Sequence, residues 1–217
     1  MEDVLLLAIV GALLGLDATS VGQFMVSRPL VAGVLAGAVT GGVAVGAGVG
    51  AVLELYLLVS FPSGGARFPE GATATVVAVG TASVLAGPAA LPLGVTCGLL
   101  WGQLAGFSVT AQRKFNGRLV PDPTGVTAAQ LSRAHLSAIA VDALRAGVVT
   151  GIGLVVARMT VTPLANGWPL DIEESRALLL MGGAVSLGIL VNDLGGIRKR
   201  GWLVAVGIAL GAMGTLL

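Results

Sequence analysis

The sequence predicts an all-α fold, a polytopic helical membrane protein with broken or re-entrant helices near residues 17–30 and 60–71. Three observations predict it. Only 11% of the 217 residues are charged and 55% are hydrophobic, for a mean hydropathy of +0.96, whereas a soluble domain is about a quarter charged. No charge falls within 71–112, 177–192 or 201–217, and roughly 20 apolar residues cross a bilayer. Finally, clusters of polar, Gly and Pro residues interrupt the apolar runs at two places, and such punctuation breaks helices.

The apolar segments run in order over about 4–26, 31–60, 71–90, 92–111, 137–158, 176–194 and 201–217, and residues 1–217 read as one integral membrane domain. The first opens with Glu2 and Asp3. It lacks the basic start of a signal peptide, so it is expected to be retained. It carries Asp17, Ser20, Gly22 and Gln23 near its end. The second is uncharged from 29 to 66 except for Glu54. An ionised group at a helix centre costs at least roughly 2.5–3.5 kcal/mol in a bilayer, so Glu54 needs a partner, a polar cavity or a structural duty. Gly33, Gly37 and Gly41, then Gly42, Gly46 and Gly50, repeat every fourth residue along this segment. That spacing clears one helix stripe for close packing against another helix. Gly98, Gly102 and Gly106, and Gly207 and Gly211, repeat the pattern.

The stretch "SFPSGGARFPEG" (60–71) separates the second and third segments with two prolines and three glycines. At membrane depth irregular backbone persists only when buried in protein or lining a cavity, and transporters place substrate sites at discontinuous helices. The loop 111–135 carries Arg113, Lys114, Arg118 and Arg133 against Asp122. The positive-inside rule makes it cytoplasmic, together with Arg198, Lys199 and Arg200 two spans later. The acidic 159–175 loop, with Asp171, Glu173 and Glu174, then lies outside.

The polar groups stranded in the first segments are Asp17, Gln23, Glu54 and Glu70. Carboxylates accept from paired hydroxyls and an amide both donates and accepts, a set suited to a neutral polyhydroxylated ligand. The alternative for Asp17 and Glu70 is an interfacial place, solvated or beside a helix start, where Glu70 before "GATATVV" favours the helix dipole. Asp142 and Arg145, three residues apart, are expected to neutralise one another on one helix face. His135 has no acid–base partner nearby in sequence and is read as interfacial, so no phosphoryl-accepting catalytic residue is evident. Asn192 and Asp193 read as the end of a helix. The net charge of +1 without a basic–aromatic patch gives no sign of nucleic acid. The lone Cys97 excludes a disulfide framework or thiolate metal site, no Walker motif is present, and no cofactor or metal is expected.

The series is ordered: Leu16 and Asp17, then Gln23, Phe24, Arg28, Pro29 and Leu30, then a glycine-rich helix ending in "LEL" (53–55), then Pro69 and Glu70 before small residues. "HLS…ALRAGVV" from His135 and "GGAVSLGILVND" (182–193) follow. Over about residues 10–195 it resembles the membrane subunit IIC of the mannose/sorbose family of the bacterial sugar phosphotransferase system (PTS). The resemblance implies a multi-pass permease of the bacterial inner membrane, with broken helices around the sugar and Gln23, Glu54, Glu70 and Asp17 at the matching positions. It implies a IID-like membrane partner, cytoplasmic IIA and IIB phosphocarriers, and a homo-oligomer of IIC/IID complexes in the lipid bilayer. Two other readings stay open at this point: a non-transporting or regulatory relative in an incomplete PTS, and a binding subunit powered by a separate ATPase.

Overall fold

A computed structural model describes residues 2–58, 67–121 and 124–214. All their regular structure is helical: α1 (Glu2–Thr19), α2 (Pro29–Thr40), α3 (Val43–Tyr56), α4 (Gly71–Ala82), a 3-10 turn (Gly87–Ala89), α5 (Ala90–Leu119), α6 (Ala128–Ala165), α7 (Ile172–Asp193) and α8 (Gly196–Gly214). Three helical stretches, Gly87–Leu119, Ala128–Ala165 and Ile172–Asp193, are long and apolar enough to cross a membrane by length and composition. The chain is an all-α polytopic membrane protein, as the sequence predicts.

The segment 31–60, expected as one span, is instead a helical hairpin. Gly41 adopts φ 75°, which ends α2, while Gly42 N–H reaches Gly37 O at 2.8 Å and Gly41 N–H reaches Ala38 O at 3.4 Å. This pair of bonds is a Schellman turn. The two helices have 12 and 14 residues, so they reach only about 18 and 21 Å at 1.5 Å per residue, short of the roughly 30 Å hydrocarbon core. The glycine stripe does mediate close packing, but the partner helix lies within the segment itself. A Cβ at Gly33 would run into Gly46 O, and one at Gly46 into Gly33 O. At Gly37 it would stand 2.9 Å from Gly42 O, and at Gly50 2.5 Å from Pro29 O.

The expected 71–90 span is likewise cut short, because α4 stops at Ala82. Its terminal carbonyl at Gly80 accepts from the Ser83 hydroxyl at 3.1 Å and from Arg158 Nε at 2.8 Å. Residues 72–82 of α4 are all buried, which makes this helix the axis of the fold. On one side it lies against α5, where glycines recur every fourth residue: a Cβ at Gly94 would be 2.7 Å from Ala78 O and one at Gly98 2.5 Å from Ala74 O. The stripe seen in the sequence thus packs α4, beginning one turn earlier than expected. Gly207 and Gly211 in α8 face open space, so no packing uses them among the described residues. On another side α1 runs antiparallel to α6, fixed by Asp3 and Arg158 at 2.6 Å at one end and Thr19 and Asp142 at 2.6 Å at the other.

The break near 17–30 is present as residues 20–28 between α1 and α2. Of the break near 60–71, residues 67–70 form an irregular approach to α4 and 59–66 lie outside the described residues. With α6 and α7 both of spanning length, the basic 111–135 and 196–200 segments are expected on one side, and their Lys/Arg excess predicts that side to be cytoplasmic.

Two outcomes test this arrangement. Gly46→Val is expected to destabilise the protein by about 1–3 kcal/mol through overpacking, whereas Gly48→Ala, which meets open space, leaves thermal stability in detergent unchanged. In a Cys97→Ala background, Asn116→Cys is expected to be labelled from the cytoplasmic side and Asn166→Cys from the outside; labelling of both from one side overturns the topology.

Candidate functional site

Four polar positions from the sequence gather at the inner ends of α1 to α4, but in different ways. Asp17 is buried near the end of α1. Its Oδ1 accepts from Phe24 N–H at 2.7 Å and its Oδ2 from Ser27 N–H at 2.8 Å. The carboxylate therefore stands in for the missing helical carbonyls and gives the 20–28 break a fixed shape. Inside that break Gln23 and Met25 have φ 53° and 64°, a left-handed backbone uncommon for side chains of this kind. Residues 21–26 are exposed, and Gln23 makes no hydrogen bond among the described residues.

Glu54 answers the question raised by its apolar surroundings. It forms an ion pair with Arg28, and its Oε2 accepts from Leu30 N–H at 3.3 Å. It thus occupies the N-terminus of α2, where the helix dipole and a free amide favour an anion, and it clamps the open end of the α2–α3 hairpin. Arg28 is the last charge before the uncharged run, but the sequence alone does not pair it with Glu54.

Glu70 is fully buried at the start of α4. Its Oε2 accepts from Thr73 Oγ1 at 2.8 Å, and the two Nη atoms of Arg145 each lie 3.4 Å from one of its oxygens. Its amide donates to Gly102 O at 2.9 Å, an approach that glycine at 102 and 106 permits, since a Cβ at Gly106 would collide with Phe68 O. Arg145 also donates from Nε to Asp142 Oδ1 at 2.9 Å and from Nη1 to Ser108 Oγ at 2.9 Å. Asp142 Oδ2 in turn accepts from the Thr19 and Ser20 hydroxyls where α1 ends.

The Asp142–Arg145 pair, read from sequence as self-neutralising, is therefore the hub of a larger network that joins α1, α4, α5 and α6. Sequence spacing shows only the local pair. Charges at membrane depth pair with one another, but the cation nearest to Glu70 in sequence, Arg67, lies over the Phe107 ring, and the one that holds Glu70 is 75 positions away. The hydroxyls of Thr19, Ser20, Thr73 and Ser108 carried no signal of their own.

The two networks flank a cavity of about 90 Å³ lined by Ser27, Arg28, Pro29, Leu57, Phe68 and Glu70, among others. The N-termini of α2 and α4 and the C-terminal end of α3 open onto it, so free backbone donors and acceptors meet there. Glu54 reaches its rim through Arg28. Asp17 and Gln23 shape and edge the adjoining loop and do not line the cavity itself. No group of three or more metal-ligating side chains occurs among the described residues.

A family model described as the PTS system sorbose-specific IIC component matches residues 1–189. No curated protein matches the chain significantly. Among solved structures, one described as "Structure of membrane protein" aligns with a TM-score of 0.75 at 19% identity, covering 100% of this chain and 93% of that one. A cryoEM structure of the mannose transporter ManYZ in complex with microcin E492 aligns with a TM-score of 0.52 at 20% identity, covering 99% of this chain and 92% of that one. At these identities the likeness is one of fold.

Removing the hub is expected to be costly. Arg145→Leu leaves two buried carboxylates without their cation, a loss of about 3–5 kcal/mol, while Arg133→Leu on the exposed face is expected to be near neutral. Melting of the purified protein in detergent compares the two, and equal Tm values would remove Arg145 from the centre of the fold.

Proposed function

The chain belongs to the sorbose-specific IIC family of the phosphotransferase system, and from that premise we propose that it binds its sugar where the two breaks converge. It is the membrane IIC subunit of a mannose/sorbose-type permease, a multi-pass protein of the bacterial inner membrane. The observation that supports the sugar site is the meeting of three helix ends at one cavity beside four buried or half-buried ionic groups, Arg28, Glu54, Glu70 and Arg145. A sugar offers many hydroxyls and no charge, so its recognition favours a balanced set of acceptors and donors over a single ion. Glu70 and Glu54 supply acceptors, Gln23 supplies both, and Asp17 holds the loop that presents Gln23.

At about 90 Å³ the cavity is below the roughly 300 Å³ at which small-molecule pockets begin. In this reading the sugar enters as the exposed tip of the loop, residues 21–26, yields. Irregular backbone at membrane depth requires cover by protein or water, and Phe24 and Met25 beside it are apolar and exposed. A IID-like subunit is the partner that supplies this cover. Cytoplasmic IIA and IIB carriers then phosphorylate the sugar as it is released, and IIC/IID complexes associate further as homo-oligomers.

Gln23 is the residue that separates ligand contact from folding, because it makes no hydrogen bond among the described residues. Gln23→Ala is expected to weaken sugar binding by about ten- to a hundredfold at unchanged Tm, and Glu70→Gln to weaken it while also lowering Tm. The measurement is equilibrium binding of radiolabelled mannose, sorbose and related hexoses to the protein purified with its IID-like partner. Wild-type affinity in Gln23→Ala would take Gln23 out of the site, and absence of any sugar binding in the wild type would overturn the reading of the site.

A further inference from the structure

Two unlike stretches of backbone meet at the sugar cavity. One is the break between α1 and α2, whose tip at residues 21–26 is exposed. The other, residues 67–70, is tied to α5 along its length. Glu70 N–H donates to Gly102 O at 2.9 Å, and the Phe68 carbonyl lies so close to Gly106 that no side chain fits there. Between them the ring of Pro69 locks its own φ. Two arginines complete the tie in a crossed pattern. Arg67 stands over the Phe107 ring at 5.1 Å from its centroid, and Arg113 over the Phe68 ring at 5.4 Å. A cation is attracted to the face of an aromatic ring, so the Arg113 contact fixes the plane of the Phe68 ring as well as its place. When the loop tip yields, this is the wall that stays.

Phe68 is the aromatic residue among those lining the cavity; the other apolar ones, Ala18, Pro29, Leu57 and Ala72, are aliphatic. Acceptors and donors account for what carboxylates and an amide do with hydroxyls, but they leave this ring without a part. A flat apolar ring, held rigidly beside a carboxylate, fits a ligand that is itself two-sided. A pyranose chair is such a ligand. Axial C–H groups project in parallel from a face of the ring, while equatorial hydroxyls point outward along its edge. Each of those hydrogens carries partial positive charge from the oxygen on its carbon, and the face of an aromatic ring is negative. An open-chain polyol has the same hydroxyls without a fixed face, and it loses the rotations of its chain on binding.

We infer that Phe68 is the platform on which the sugar ring stacks, so that the site selects a hexose in its pyranose form, with one face clear of axial hydroxyls, over an open-chain polyol of the same configuration. The inference rests on the sugar site proposed above and adds to it the shape of the ligand. Phe68 meets the face of the sugar, Glu70 its hydroxyl edge, and Arg113 is a positioning residue that holds the plane of the platform.

The test is equilibrium binding to the full chain purified with its IID-like partner, with three pairs of probes: mannose and mannitol, glucose and sorbitol, galactose and galactitol. The wild type is expected to bind at least one aldose about tenfold more tightly than its alditol. Phe68→Leu keeps an apolar side chain but removes the flat face. It is expected to weaken the aldose about tenfold with little change for the alditol, so that their ratio falls toward one. Phe68→Tyr keeps the ring and is expected to keep the ratio. Arg113→Gln, which frees the plane of the ring, is expected to lower it. The ratio decides, because partial misfolding reduces the number of sites without changing the relative affinity of two ligands for those that remain. A ratio near one in the wild type overturns the platform. So does an unchanged ratio in Phe68→Leu or, should that variant not fold, in Arg113→Gln. A wild type that binds aldose and alditol alike sinks the platform and leaves the sugar site standing; one that binds neither sinks both.

Discussion

One buried guanidinium organises this protein. Arg145 sits in a helix surrounded by apolar side chains, and its contacts reach Glu70 on the approach to α4, Ser108 in α5 and Asp142 in its own helix. Through Asp142 it also holds the hydroxyls at the end of α1. In water each of these bonds would be worth little, because solvent competes for every partner. In a medium of low dielectric constant the same bonds strengthen and the penalty for an unpaired member grows with them. The network therefore specifies one arrangement of four elements more than it adds net stability. The second pair, Arg28 with Glu54, does the same for the α2–α3 hairpin on a smaller scale.

Such charges reach one another because glycine lets backbones touch. The period-four stripe of α5 brings the extended residues 67–70 against the helix, so that Glu70 N–H bonds to Gly102 O. With side chains at 98, 102 and 106, α4 would stand off and Glu70 would fall short of Arg145. Steric clearance and charge pairing are thus two parts of one device. The first sets the distance and the second makes only one register acceptable.

Much of this was legible in the sequence and some was not, for physical reasons. Charge-free runs mark membrane helices because the bilayer excludes ions, so the class of the fold and the first break followed from composition. The hairpin within 31–60 did not. Its turn is made by Gly41 and Gly42, which continue the same four-residue glycine spacing that signals a packing stripe, and a turn glycine looks like any other in sequence. The end of α4 at Ala82 was hidden for a related reason: Arg158, 78 positions after Gly80 in the chain, takes the Gly80 carbonyl in its last turn. Of the candidate site, all four polar positions lie at the convergence of the breaks, but the sequence could not say that Glu54 and Glu70 already hold cations. Pairing between residues 26 and 75 positions apart is a property of the fold.

The turn at Gly41 has a consequence for how the protein is made. An insertion machinery reading the chain from its start meets residues 29–56 as a single apolar stretch, long enough to cross the bilayer outright. Only the reversal at Gly41 and Gly42 returns Glu54 to the side from which it came. Until that reversal Arg28 and Glu54 stand at opposite ends of the stretch, each an uncompensated ion. Their meeting closes the hairpin, so the two charges compensate one another only in the folded-back form.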